Sequence, residues 1–215
     1  MEKNITQHTI SSNDDDFETK FDQEDANTYL PASIQLVAFS YNSKDFVEGF
    51  LDSLVKQALY RFDICIIDLG STDGSWEMLK DWELRPGIVF RQHQATGLSP
   101  FDALNKASYI SLFKSPKGWI CPVNISDRFS PGALLQYWNY LKLYPDVDIF
   151  YSNFRIVNDV NHKNITGFQN WPEYSHEALL KENMCGCSPL IKGTTFQEMG
   201  MYNPKMEYVA DYELY

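Results

Sequence analysis

The sequence predicts an α/β fold, a three-layer, mostly parallel sheet with helices on both faces. Two observations carry this. Short apolar runs alternate with segments of helical period, the pattern of parallel strands joined by crossover helices. Three of the apolar runs also close on polar residues: Tyr41-Asn42, Asp68 through Asp73, and Asn124 through Asp127. Parallel strands end on one edge, and in open α/β sheets ligands bind at that edge.

The elements follow in order. Residues 1–30 hold eight acids and two lysines and few aliphatics, which reads as a disordered acidic tail. The domain is expected to occupy residues 31–215. Ile34 to Phe39 reads as a buried strand. The next helix sets Phe46, Phe50 and Leu54 in one row and Val47, Leu51 and Val55 in the adjacent row, with Ser43 or Asp45 as its cap. Ile64 to Ile67 is the second strand, and Ser75 to Trp82 is helical with Trp76, Leu79 and Trp82 inward. Pro86-Gly87 is a turn before a third strand, Ile88 to Phe90. Ser99 caps a helix with Pro100 at its first position, running through Ala103, Leu104, Ala107 and Ile110 to Phe113. Trp119 to Val123 is the fourth strand. Ser130-Pro131 opens a helix to Tyr144, Asp148 to Val157 is extended, and Gln197 to Gly200 ends a short helix.

Composition narrows the function. The 215 residues are 44% hydrophobic and 15% aromatic, with a net charge of -11. The first 30 residues carry -6 of that charge and the remainder -5. No continuous basic stripe is present, so nucleic acid is not an expected partner. No apolar run approaches the length of about 18 residues that a membrane span needs. The N-terminus shows no basic-then-apolar leader pattern. Cys65 and Cys121 lie in strand-like runs as packed thiols. Cys185 and Cys187 lack a second Cys/His pair that would complete a zinc site. A reducing, cytoplasmic setting fits this usage.

The strand-end residues suit a sugar-nucleotide site. The Tyr41 ring can stack on a base. The Asp68 carboxylate can accept from a ribose or base, and equally suits a turn acid bonding the Ser71 or Thr72 amides. Asp127 can hold a divalent cation against a diphosphate, since hard cations take oxygen ligands, or can cap the following helix. Asp102 also suits a first-turn helix acid, and Asn105 and Lys106 also suit solvated positions. Asp73 suits a cap on the next helix.

The ordered motifs resemble family 2 glycosyltransferases of the inverting, GT-A (Rossmann-like) type. Val37-Ala38-Phe39-Ser40-Tyr41-Asn42 resembles the opening strand that ends in Tyr-Asn. Ser53-Leu54 followed by Gln57 resembles a "Ser-Leu-x-x-Gln" helix. Ile66 through Ser75 resembles "Val-Asp-x-Gly-Ser-Thr-Asp-Gly", and Gly97 through Ala107 is similar to the "Gly-x-Tyr-Asp-Ala-x-Asn-Lys-Gly" segment of a bacterial subgroup. Val123 through Phe129 sits where the family has its metal-binding acidic motif, and Ala210-Asp211-Tyr212-Glu213-Leu214 resembles "Ala-Asp-Tyr-Glu-Leu".

The resemblance implies an enzyme that moves a sugar from a nucleoside-diphosphate donor, expected to be UDP-linked, to a glycan or lipid-linked acceptor with Mg²⁺ or Mn²⁺. It implies Tyr41, Asp68, Asp102, Asn105, Lys106 and Asn124 on the donor, Asp127 on the metal and Asp211 as the base. Leu69 stands where many members carry a second aspartate. Asn124 and Ser126 replace two acids of the metal motif, leaving Asp127 as its only carboxylate. The chain ends four residues after Asp211, which reads as a truncated domain. The location implied is cytoplasmic, with peripheral membrane contact through a lipid-linked acceptor. The alternative is a non-catalytic relative that binds nucleotide or a partner through a decayed metal motif. A dinucleotide oxidoreductase is disfavoured, because Ser40-Tyr41-Asn42-Ser43 replaces a Gly-x-Gly-x-x-Gly after the first strand. A hydrolase lacks its Gly-x-Ser-x-Gly elbow.

Overall fold

The computed structural model describes residues 33–57, 62–82, 89–206 and 209–214. The acidic tail and the Pro86-Gly87 turn lie outside them. Among the described residues, the strands are β1 (Ile34–Ser40), β2 (Phe62–Asp68), β3 (Val89–Gln94), β4 (Trp119–Pro122), β5 (Ile149–Phe150), β6 (Phe154–Val157), β7 (Ile165–Gln169) and β8 (Leu190–Lys192). The helices are α1 (Lys44–Val55), α2 (Ser75–Trp82), α3 (Pro100–Lys114), α4 (Ala133–Leu143), α5 (His176–Leu179), α6 (Gly193–Glu198) and α7 (Ala210–Leu214).

Six strands form one sheet in the order β3-β2-β1-β4-β8-β5. The first four are parallel, while β8 runs antiparallel to both its neighbours. Side chains alternate across a strand, and the two central strands are buried on both sides. Ile34, Leu36, Ala38, Ile64 and Ile66 pack with α1, α2 and α4 residues such as Phe50, Leu79 and Trp138. Val37, Cys65 and Ile67 face the other way, onto Ala103 and Ala107 of α3, Phe196 of α6 and Ala210 of α7. The expected three layers are present. No helix among the described residues is long and apolar enough to cross a membrane.

Several local expectations differ. Ser43 flanks α1 without a side-chain cap bond, because Asp73 supplies that acceptor from the next turn. The third strand extends to Gln94, because its polar residues pair with β2 on one side only, at the sheet edge. The fourth helix begins at Ala133, after Gly132 at φ 78°. Asp148 to Val157 is not one extended unit. β5 joins the main sheet, while β6 pairs with β7 in a separate hairpin. The strand β8 was hidden because it is three residues long, too short for periodicity to register.

The Ser53/Gln57 pair has a structural use. Gln57, 2% exposed, donates from Nε2 to the Ser130 carbonyl at 3.1 Å and accepts the Leu134 N–H on Oε1 at 3.2 Å. Ser53 Oγ accepts the Phe129 N–H at 3.3 Å. The end of α1 thereby anchors the loop that follows Asp127 and caps α4.

Candidate functional site

Register places the strand ends together. Ser40 pairs with Asp68, Asp68 with Gln94, and Val37 with Pro122. The Val123 N–H still donates to the Val37 carbonyl, at 2.9 Å. Tyr41, Leu69, Ala95 and Asn124 therefore leave the sheet along one edge, and the loop 95–99 returns into α3 there.

Asp68 is fully buried. Its Oδ1 accepts from the Gly70 and Ser71 N–H groups at 3.0 and 2.9 Å and from Gln94 Nε2 at 3.3 Å. Its Oδ2 accepts from Ser71 Oγ at 2.6 Å. The carboxylate is the nucleus of its own turn. Gly70 has φ 92°, and a Cβ there would lie 2.8 Å from Thr96 Cγ2, so both conformation and space call for glycine. Asn42, at φ 46°, accepts the Thr72 N–H on Oδ1, and its own N–H donates to Ser71 Oγ, both at 2.9 Å. These bonds lock the first two strand-end loops together. Tyr41 is 59% exposed, so its ring face is available for stacking.

Asp73 ties the two helices behind these loops. Oδ2 accepts the Lys44 N–H and Oδ1 the Ser75 N–H, each at 2.9 Å, and Ser75 Oγ also donates to Oδ1. Desolvation raises this carboxyl, but the Ser75 hydroxyl and the Lys44 and Ser75 N–H groups outweigh it and hold it below its ordinary range. Asp73→Ala is expected to cost about 1–2 kcal/mol through lost capping, read as a lower urea midpoint. The contribution is present above the unfolded value of about 3.9 and fades as pH falls, so the wild-type advantage should shrink in acid.

The loop after β4 is a fixed turn. Asn124 Oδ1 accepts the Ser126 N–H at 3.1 Å, and its carbonyl accepts the Asp127 N–H at 2.9 Å. Arg128 Nη1 folds back onto the Ile125 and Asp127 carbonyls at 3.2 and 2.8 Å. His162, at the tip of the β6–β7 hairpin, lies 2.8 Å from the Ser126 carbonyl through Nε2. Asp127 is half-buried, and among the described residues no donor hydrogen-bonds its carboxylate. Desolvation pushes its carboxyl above the ordinary range, with the charges of His162 and Arg128 pulling back. Desolvation likewise lowers Arg128.

This is an acid oriented by its backbone and left open at its oxygens, as a hard cation requires. Among the described residues, no group of three His, Cys, Asp or Glu side chains could hold a metal by itself. The residues fit a cation that brings most of its own ligands, such as one carried by a diphosphate.

The α3 candidates separate. Asp102 Oδ2 accepts the Ser99 N–H at 3.3 Å while the Asp102 N–H donates to Ser99 Oγ at 3.1 Å, a capping box at the same edge. Asn105 is engaged at both ends of its amide, donating to the Tyr202 carbonyl at 2.7 Å and accepting its N–H at 3.0 Å. That clamp holds Tyr202 among Phe101 and Phe196. Lys106 is exposed.

Asp211 lies half-buried on α7, and its Oδ2 accepts from Asn183 Nδ2 at 3.1 Å. The segment 183–188 lies within electrostatic reach of both Asp211 and Asp127. Burial first and the Asp211 charge second raise the Cys185 thiol to about 11. Partial desolvation and the Asp127 charge do the same for Cys187, also to about 11. The two acids thus act on cysteines two residues apart. Gln94, Arg128, His162 and Asn183 were not singled out by motif reading.

A model described as glycosyl transferase family 2 matches residues 36–196. A UDP-Glc:α-D-GlcNAc-diphosphoundecaprenol β-1,3-glucosyltransferase of Escherichia coli, WfaP, is 25% identical over 189 residues, covering 85% of this chain and 68% of that protein. S. aureus TarS 1–349 in complex with UDP superposes with a TM-score of 0.61 at 16% identity, covering 84% of this chain and 53% of that one. The mannosyltransferase PcManGT of Pyrobaculum calidifontis, solved with GDP-Man and Mn²⁺, gives a TM-score of 0.57 at 17% identity, covering 82% and 48%. At such identity these likenesses show the fold alone, the GT-A arrangement expected from the sequence. The chain spans about half the length of those solved chains.

Proposed function

This chain belongs to glycosyl transferase family 2, and on that premise we propose that it moves a sugar, with inversion, from a UDP-linked donor to a glycan or lipid-linked acceptor. The observation that carries the proposal is the Asp127 carboxylate, fixed by its loop yet without a hydrogen-bond donor among the described residues, on the sheet edge that also bears exposed Tyr41.

Tyr41 stacks on the base. Asp68 serves the nucleoside by shaping the Gly70 to Thr72 turn, since its own oxygens are buried. Asn124 holds the turn that presents Asp127. Asp102 and Asn105 order the start of α3 and Tyr202, while exposed Lys106 offers its ammonium to the diphosphate or donor sugar. Asp127 would hold Mg²⁺ or Mn²⁺, which when bound neutralises the charge that builds on the leaving diphosphate. Asp211 takes the proton from the acceptor hydroxyl as its oxygen attacks the anomeric carbon. The PcManGT complex with Mn²⁺ supports the choice of cation, and the UDP complex of TarS supports the nucleotide. A lipid-linked acceptor fits a cytoplasmic chain that touches the membrane from its surface.

The second reading, a nucleotide-binding relative without turnover, draws on the absence of a three-ligand group among the described residues. A screen of UDP-glucose, UDP-N-acetylglucosamine, UDP-galactose and GDP-mannose with Mn²⁺, reading released nucleotide, separates them. Release from a UDP-linked donor is expected. UDP binding with no release from any donor would favour the second reading.

A further inference from the structure

Asn183 lies outside every motif that points to the donor, yet among the described residues it is the one hydrogen-bond donor to the Asp211 carboxylate. Its Nδ2 donates to Asp211 Oδ2 at 3.1 Å, and its Oδ1 accepts the Cys185 N–H at 3.2 Å. The second bond decides the first. A backbone N–H can only donate, so the carbonyl end of the amide must face Cys185 and the NH₂ end must face the acid. The orientation of Asn183 is set by a turn in its own segment.

α7 is five residues long, so its side chains are not held by a long helix face. It is tied to the 175–185 region at successive residues. Asp211 meets Asn183, and the Tyr212 hydroxyl donates to the Leu179 carbonyl. Among the described residues no donor reaches Asp211 Oδ1. A carboxylate held by one oxygen and open at the other is arranged to receive a proton at a defined place.

We infer that Asn183 is a positioning residue for the transfer step, gripping Asp211 by Oδ2 so that Oδ1 faces the acceptor hydroxyl. This rests on the reading of Asp211 as the base. In the step, the acceptor O–H bond breaks and its proton passes to Asp211 Oδ1. The acceptor oxygen bonds to the anomeric carbon, and the bond from that carbon to the diphosphate oxygen breaks. Its electron pair leaves with the diphosphate. Asn183 touches none of the reacting atoms. A misplacement of about 1 Å in such a group can cost on the order of 10²-fold in rate.

The test measures UDP release from UDP-glucose and UDP-N-acetylglucosamine in Mn²⁺, with water as acceptor, alongside UDP affinity by calorimetry. Asn183→Ala is expected to lower kcat about 10- to 100-fold with donor KM and UDP affinity within about twofold of wild type. Asn183→Asp is expected to fall further, because it sets a second carboxylate against Asp211. Asn183→Ala added to Asp211→Asn is expected to cost nothing more, since two residues acting as a unit are not additive. If Asp211→Asn is impaired while Asn183→Ala turns over like wild type, the positioning role is overturned and the base reading stands. Full additivity in the double variant, or a UDP affinity that falls in step with kcat, overturns it too. If Asp211→Asn itself keeps wild-type turnover, the base reading fails, and this inference with it.

Discussion

Asp211→Asn is expected to lower donor turnover by about 10²–10⁴-fold, the usual worth of general-base help, while UDP affinity in Mn²⁺ stays unchanged. The split follows from position. Asp211 sits on α7, which packs through Ala210 and Leu214 on the α3 side of the sheet. The residues proposed to face the nucleotide leave β1, β2 and β4 at the strand ends. Asparagine keeps the size of the side chain and can still meet Asn183 after an amide rotation, so the helix should stay packed. What it loses is the capacity to accept a proton. Single-turnover kinetics beside calorimetry would read the two effects separately. Equal losses in affinity and rate would mean that Asp211 belongs to donor binding.

Asp127→Ala is expected to abolish the Mn²⁺ dependence of both binding and turnover. Charge stabilisation by a bound cation is worth several kcal/mol, and each 1.36 kcal/mol is tenfold, so turnover should fall by roughly 10²–10³-fold. UDP affinity without cation should not change. The same acid carries a cost in the ligand-free protein. Burial holds its carboxyl above the ordinary range, and His162 and Arg128 only partly offset that. The folded chain therefore binds this proton more readily than the unfolded chain. The resulting stabilisation is full at low pH and is lost as pH rises from the unfolded value of about 3.9 through the raised folded one. At neutral pH, Asp127→Asn is expected to raise the thermal midpoint of the apo protein, and added Mn²⁺ with UDP should stabilise only the wild type. A variant less stable than wild type without ligands would show that the carboxylate is held by contacts in the apo fold.

The central fold was legible because β1 and β2 are continuous apolar runs, and α3 announces itself through Ser99, Pro100 and Asp102. The strand-end motifs were legible for the same reason, since each follows a strand by one or two residues. What escaped depends on long-range contacts that no local pattern records. Asn105 lies in a recognisable motif, yet its amide is engaged by Tyr202, 97 residues away. Asp68 is the most conspicuous acid of the chain, and its oxygens close a turn instead of opening to solvent. His162 and Asn183 reach the site from a small hairpin and an irregular segment, where neither period nor composition gives warning. The split of Asp148 to Val157 between two sheets has the same origin, because an extended segment carries no mark of its partner.

The proposed transfer requires one arrangement: a cation on Asp127, a diphosphate against it, and a nucleobase on Tyr41, all on the edge where β1, β2 and β4 end. A crystal structure of this chain grown with UDP and Mn²⁺ tests it most directly. The expected result is one Mn²⁺ bridging the Asp127 carboxylate and the diphosphate, with the uracil ring against Tyr41. Nucleotide bound away from that edge, or Mn²⁺ held without Asp127, would contradict it.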